Sequence, residues 1–154
     1  MKPGTFTQLL THFVFAPKYR ERLLVKEIQT EVFRFISGII THRNHKSIII
    51  NGVPDHIHIL IGLNPNDKIS DLVATIKRES STLINGKGWL LGKFHWQDGY
   101  GAFSYGKSQL DHVYNYIKNQ ESHHKRHTFR EEYLELLKRF EIEYDEKYLF
   151  EFFE

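Results

Sequence analysis

Two histidines separated by one residue, His56-Ile57-His58, stand in the apolar run Asp55-His56-Ile57-His58-Ile59-Leu60-Ile61-Gly62. In a strand, the period of two sends both imidazoles to one face and Ile57, Ile59 and Ile61 to the other. Two imidazoles placed this way make half of a metal site. The same pair also fits histidines at the edge of a core. A second pair, Tyr116 and Gln120, lies on the segment Gln109-Leu110-Asp111-His112-Val113-Tyr114-Asn115-Tyr116-Ile117-Lys118-Asn119-Gln120. At helical spacing, Leu110, Val113 and Ile117 form its apolar stripe, and Tyr116 and Gln120 are one turn apart on its flank. A boundary tyrosine with a solvated amide is the ordinary reading. The chemical reading is a phenol nucleophile beside an amide oxygen that ligates metal. A tyrosine can form an ester with a phosphoryl group if a hard divalent cation polarises the phosphate and stabilises the leaving oxygen.

These residues need elements to hold them. Residues 5–15, rich in β-branched and aromatic side chains, predict a strand that Pro17 stops. Residues 20–42 predict an amphipathic helix through Leu24, Ile28, Val32, Phe35, Ile36 and Ile39. Residues 47–63 predict a hairpin turning at Gly52-Val53-Pro54-Asp55, with the histidine pair at the start of its second strand, near a sheet edge that solvent and substrate reach. A helix follows over about 69–84, capped near Ser70 or Asp71, and Asn85-Gly86-Lys87-Gly88 ends it. Residues 94–106 predict a glycine-rich aromatic loop leading into a last strand. Ser108 starts a helix to about 121, and 128–140 predict another. The order matches a split βαβ pair. The expected fold class is α+β and ferredoxin-like: one antiparallel sheet with helices on one face, plus a C-terminal tyrosine-bearing helix. The other sheet face is expected to stay open to a ligand.

With 154 residues, 40% of them hydrophobic, the chain suits one globular domain over 1–154. Its parts are a motif-bearing core at 5–125 and an acidic helix and tail at 128–154. Cysteine is absent, which excludes disulfides and thiolate ligands. No apolar stretch approaches a membrane span and Met1-Lys2-Pro3-Gly4-Thr5 lacks the core of a signal peptide, so a soluble cytoplasmic protein is expected. The net charge of +2 conceals a basic body and an acidic segment after residue 130, which suggests an anionic partner for the body. Lys18, Arg20, Lys77 and Arg78, with Trp96, Tyr100, Phe103 and Tyr105 nearby in sequence, suit single-stranded nucleic acid by charge and stacking. Most of those aromatics also fit a core.

Five stretches, in order, resemble the single-tyrosine HUH transposases of small bacterial insertion sequences, the TnpA type. They are His12-Phe13-Val14-Phe15-Ala16-Pro17-Lys18-Tyr19-Arg20, Val53-Pro54-Asp55-His56-Ile57-His58-Ile59-Leu60-Ile61, Ile69–Ser81, Phe94-His95-Trp96-Gln97-Asp98-Gly99-Tyr100 and Tyr116-Ile117-Lys118-Asn119-Gln120. The resemblance covers roughly residues 8–125. It implies metal-dependent cleavage and rejoining of single-stranded DNA through a 5′-phosphotyrosine link. His56 and His58 then correspond to the HUH histidines, Tyr116 to the nucleophile and Gln120 to the third ligand of a Mg²⁺ or Mn²⁺ ion. It further implies recognition of hairpin ends and a homodimer in which the tyrosine helix can serve the partner subunit. Tyr114 does not fit the Tyr-x-x-x-Gln spacing. His124 lies one more turn along the Gln120 face as a competing ligand. No P-loop pattern is present, in keeping with chemistry that conserves phosphodiester energy in the covalent link. Rival readings are a domesticated hairpin-binding protein and a metal-dependent phosphoesterase that uses water.

Overall fold

The computed structural model describes residues 3–18 and 23–149. Its elements run β1 (Leu10–Phe15), α1 (Lys26–His42), β2 (Lys46–Val53), β3 (His56–Gly62), α2 (Ile69–Lys87), β4 (Gly101–Tyr105), α3 (Leu110–Lys118), α4 (Gln120–His124) and α5 (Phe129–Arg139). The four strands form one sheet in the order β2-β3-β1-β4, with every neighbouring pair antiparallel. This is the expected α+β, ferredoxin-like split βαβ arrangement.

Alternation divides the sheet. Phe13, Phe15, Ile57, Ile59 and Ile61 turn to one face, where α1 supplies Ile28, Val32, Ile36 and Ile40 and α2 supplies Leu72, Val73 and Ile76. His12, Val14, His56, His58 and Leu60 turn to the other, because each sits opposite a partner of the same parity in the register. That second face is not left open. Leu60 packs with Val113 and Ile117 of α3, and Phe129, Tyr133, Leu136 and Leu137 of α5 join the main core. An apolar patch beside the histidines would be costly to leave in water, and the amphipathic faces of α3 and α5 cover it.

Several bounds differ from expectation. The first strand begins at Leu10 and α1 at Lys26, with Leu24 buried just before the helix, its N–H donating to the Pro54 carbonyl at 3.0 Å. The expected start of that helix at residue 20 lies outside the described residues. Lys68 rather than Ser70 or Asp71 takes the N-cap position of α2, with no side-chain cap, and the helix ends at Lys87, where Gly88 takes φ 67°. The helix expected from 108 to 121 breaks at Asn119 into α3 and α4.

The hairpin carrying the histidines closes on Pro54-Asp55. Gly52 is required beside it, since a Cβ there would lie 2.4 Å from the His56 carbonyl oxygen. The hairpin's other end is tied by Asp67, which accepts from Arg43 Nη2 at 2.6 Å and Nε at 2.8 Å and faces His45 Nε2 at 2.7 Å. The Arg43 hydrogen bond, against the opposing effect of burial, and then His45 hold the Asp67 carboxyl well below the usual carboxylate range. A depressed carboxylate contributes stability above its unfolded pKa, about 3.9, and loses it as pH falls below that value. Asp67→Asn is therefore expected to cost about 1.5–3 kcal/mol at neutral pH, and the deficit should shrink below about pH 4. Urea unfolding at both pH values checks this.

Candidate active site

The two histidines are fully buried, and the sheet order places them on an inner strand rather than at an edge. Each has its Nδ1 held by a neighbour. Asp55 Oδ1 lies 2.8 Å from His56 Nδ1, and His12 Nε2 lies 2.8 Å from His58 Nδ1. His12 in turn places Nδ1 3.2 Å from the Tyr105 hydroxyl. Burial, then the nearby His58, push His12 well below the usual imidazole range, so its ring is neutral. A neutral His12 accepting at Nε2 fixes the His58 tautomer with hydrogen on Nδ1 and its lone pair on Nε2. His12→Ala should therefore lower affinity for Mn²⁺ about 10–100-fold, measured by calorimetric titration.

The two free nitrogens point at the same place. Gln120 Oε1 is 3.2 Å from His56 Nε2. Glu132 Oε1 is 2.5 Å from His58 Nε2 and 3.6 Å from His56 Nε2. The close approach of His58 and Glu132 lacks the directionality of a hydrogen bond, and both atoms are buried. Donor atoms crowded around one point, with His58 Nε2 and Glu132 Oε1 left without a hydrogen bond, are what a cation site requires. Among the described residues, His56, His58 and Glu132 each offer a ligand atom within 4.8 Å of the others. Two imidazoles, a carboxylate and an amide suit a divalent ion of the Mg²⁺, Mn²⁺ or Zn²⁺ range.

Glu132 was not expected. Its segment lay beyond the motifs, and the acidic composition after residue 130 disguised it. One signal was available. Phe129, Tyr133, Leu136, Leu137 and Phe140 repeat at helical spacing, and Glu132 occupies that stripe as its single acid. Thr128 caps α5 through the Glu131 N–H at 3.2 Å with a reciprocal Glu131 carboxylate, and this sets the helical phase that turns Glu132 inward. Phe129 stacks on the His56 ring at 4.0 Å between centroids, and Gly101 leaves room for Tyr133.

The electrostatics are coupled. Burial alone would raise the Glu132 carboxyl, yet His58, His123, His124 and His56 together hold it well below the usual range. Burial opposes the charged form of His56, but Asp55 and Glu132 outweigh it and bring His56 up to about 9. Burial keeps His58 low despite Glu132.

Tyr116 packs edge-on to His58 with centroids 5.6 Å apart, and its hydroxyl contacts Glu132 and Gln120. Burial first, then the Glu132 charge, push its phenol far up, with Gln120 opposing them. Tyr114 is exposed. At the break at Asn119 (φ −97°, ψ 23°) Gln120 starts α4 and is buried, while Tyr116 lies in the last turn of α3 beside His58. A cleft of about 160 Å³ at Tyr116 is lined by Tyr105, His112, His123, Glu132 and Arg139. The tyrosine helix lies over the histidines of its own chain, so one chain assembles the whole cluster.

The basic residues are placed differently. Lys18 and Arg78 are exposed, and Arg20 lies outside the described residues. Lys77 donates to the carbonyls of Gln97 at 2.8 Å and Gly99 at 2.6 Å and sits 5.3 Å from the Phe15 ring centre. Partial burial lowers it to about 8, against Asp98. Its ammonium positions the loop before β4. Lys77 and Arg78 lie on α2, across the sheet from Tyr116. Trp96 and Phe103 are core residues.

A His-His-Glu group that could hold a metal ion lies beside a tyrosine on a split βαβ sheet, and known proteins that share this sequence pattern and fold act on DNA. Residues 5–120 match the family described as IS200-like transposases, and the chain belongs to that family. It is accordingly a transposase, an enzyme that acts on DNA. The ISDra2 transposase TnpA of Deinococcus radiodurans is 25% identical over 122 residues, 76% of this chain and 87% of the relative. The transposase for insertion sequence element IS200 of Salmonella typhimurium is 29% identical over 114 residues, 71% of this chain and 74% of the relative. A REP-associated tyrosine transposase bound to a REP hairpin shares the fold at TM-score 0.59, with 18% identity over 80% of this chain and 74% of that one. A crystal structure from Deinococcus radiodurans R1 superposes at TM-score 0.62, with 24% identity over 78% of this chain and 96% of that one. Glu132 lies beyond the matched residues. No helix among the described residues is long and apolar enough to cross a membrane.

Proposed function

We propose that this transposase cleaves and rejoins single-stranded DNA at hairpin-bearing ends, using Tyr116 as nucleophile at a Mg²⁺- or Mn²⁺-dependent site. The observation that carries it is the convergence of His56, His58, Gln120 and Glu132 beside the Tyr116 hydroxyl. His56 and His58 through Nε2, Gln120 through Oε1 and Glu132 through Oε1 would hold the cation. When bound, such an ion polarises the scissile phosphate and stabilises the leaving oxygen.

Tyr116 oxygen attacks phosphorus and gives up its proton. The Tyr116 O–P bond forms, the P–O3′ bond breaks, and the leaving 3′ oxygen takes up the proton as a hydroxyl. A 3′-hydroxyl of a second strand reverses these events and returns Tyr116 to its protonated form. Tyr116 is neutral at physiological pH because its phenol is raised, so its proton must leave as the bond to phosphorus forms. The bond energy stays in the ester, so no nucleotide is consumed. A hairpin-bearing strand as substrate is supported by the hairpin held in the REP-associated relative.

Residues 5–125 supply the motifs and α5 of the acidic segment closes the site, so 1–154 act as one unit. Lys18, Arg20 and Arg78 contact phosphates away from the scissile bond, and Lys77 supports that surface by holding the adjoining loop. Tyr116 acts on its own chain's site, whether or not the protein is a homodimer. Labelled hairpin-bearing single-stranded DNA incubated with the protein and Mn²⁺ should give a covalent band on a denaturing gel, removed by chelator. Cleavage with free products and no covalent band would favour water as the nucleophile and overturn this reading.

A further inference from the structure

Glu132 offers its two oxygens to two different pairs of imidazoles. Oε1 faces His56 and His58, as described. Oε2 lies 2.6 Å from His124 Nε2 and 3.1 Å from His123 Nε2. These three atoms also fall within 4.8 Å of one another. We propose that His123, His124 and Glu132 Oε2 form a second cation site, for a divalent first-row transition metal, bridged to the first through the Glu132 carboxylate.

The ligand chemistry favours that class of ion. Two imidazole nitrogens and one carboxylate oxygen suit Mn²⁺, Fe²⁺, Ni²⁺ or Zn²⁺, whereas Ca²⁺ and Mg²⁺ prefer oxygen. The simpler alternative is a charged hydrogen bond between His124 and Glu132, and its 2.6 Å length fits one. It does not account for His123. The Nε2 of His123 is shielded from solvent and makes no hydrogen bond of good geometry, although its ring is partly exposed. A buried nitrogen aimed at a carboxylate oxygen without bonding it is costly unless a third body lies between them. His127, the next histidine, turns instead toward Glu131 Oε2 at 3.8 Å and is left out of the set.

His123 and His124 come from α4, and Glu132 comes from the first turn of α5, whose phase the Thr128 cap sets. An ion there ties α4 to α5. It also offsets a carboxylate that would otherwise repel the phosphate arriving at Tyr116. The neighbouring ion belongs to the reading given above. The second site has its own ligands, so the two can fail separately.

Mn²⁺ alone is the probe, with bound metal counted by equilibrium dialysis and electron paramagnetic resonance recorded on the same samples. Wild type should bind two equivalents and show an exchange-coupled signal. His123→Ala/His124→Ala and His56→Ala/His58→Ala should each bind one, with an uncoupled spectrum. Circular dichroism checks folding, and His123→Ala alone, at a partly exposed ring, should weaken the second equivalent if the double variant fails to fold. One equivalent in wild type, unchanged by His123→Ala/His124→Ala, overturns the second site and leaves the first. One equivalent that survives His56→Ala/His58→Ala and is lost in the other variant supports the second site and overturns the first. No bound Mn²⁺ overturns both.

Discussion

Tyr116→Phe will abolish the covalent protein–DNA product and lower cleavage on the order of 10⁴-fold or more, the scale of losing a nucleophile. The substitution removes one oxygen. The ring keeps its edge contact with His58 at 5.6 Å, so the metal ligands should stay in place. Mn²⁺ affinity measured on the same variant should remain within a few fold of wild type, which separates loss of chemistry from loss of the site. Mixing Tyr116→Phe with His58→Ala provides the companion measurement. Because Gln120 Oε1 approaches His56 within one chain at 3.2 Å, the mixture should stay inactive. Activity restored by mixing would show that the tyrosine helix serves a partner subunit. Cleavage persisting in Tyr116→Phe alone would remove this residue from the mechanism.

The second large effect belongs to Glu132. Glu132→Gln keeps the shape of a side chain that is 4% exposed but removes the anion shared among four imidazoles. Mn²⁺ affinity should fall by about 100-fold or more, at or beyond the upper end for losing an outer partner of a ligand. Thermal unfolding reads this without any catalysis. Metal at a hundred times its dissociation constant stabilises wild type by about 2.7 kcal/mol, which raises Tm by roughly 5–11 °C for a chain of this size. At the same metal concentration a hundredfold weaker site gains about 0.4 kcal/mol, a shift of about 1 °C. An undiminished shift in Glu132→Gln would exclude Glu132 from the ligand set. The metal-free melting temperatures of both proteins should be compared first, since the variant also removes the charge that brings His56 up to about 9.

Much of this protein is legible in short stretches of chain. Strand parity alone put His56 and His58 on one face and Ile57, Ile59 and Ile61 on the other, and the sheet keeps that division. The Tyr-x-x-x-Gln spacing selected Tyr116 over Tyr114, which lies exposed. Helix order and type followed from periodicity, because an amphipathic stripe must face a core wherever the chain goes. Ends were read less well. The break at Asn119 leaves no mark in the apolar stripe, since Leu110, Val113 and Ile117 all precede it. Lys77 reads as a phosphate contact on charge, and only its position above the 97–99 carbonyls shows how the ammonium is used.

By itself the sequence determined which side chains are candidates for the site and which faces they take, because these depend on residue chemistry and on backbone periods that act over a few residues. The tertiary structure decided what completes the site. Glu132 is 74 residues from His58 along the chain and outside the family's matched segment, and no local period links them. It arrives because α5 must bury Phe129, Tyr133 and Leu136 against the sheet face that α3 leaves uncovered, and that packing carries one carboxylate inward with it. His12 reaches His58 for the same kind of reason: β1 and β3 pair in a register that sets His12 opposite Leu60 and His58 opposite Val14, diagonal neighbours on one face. Separations that long are set by how whole elements bury their apolar faces, which no short stretch of sequence encodes.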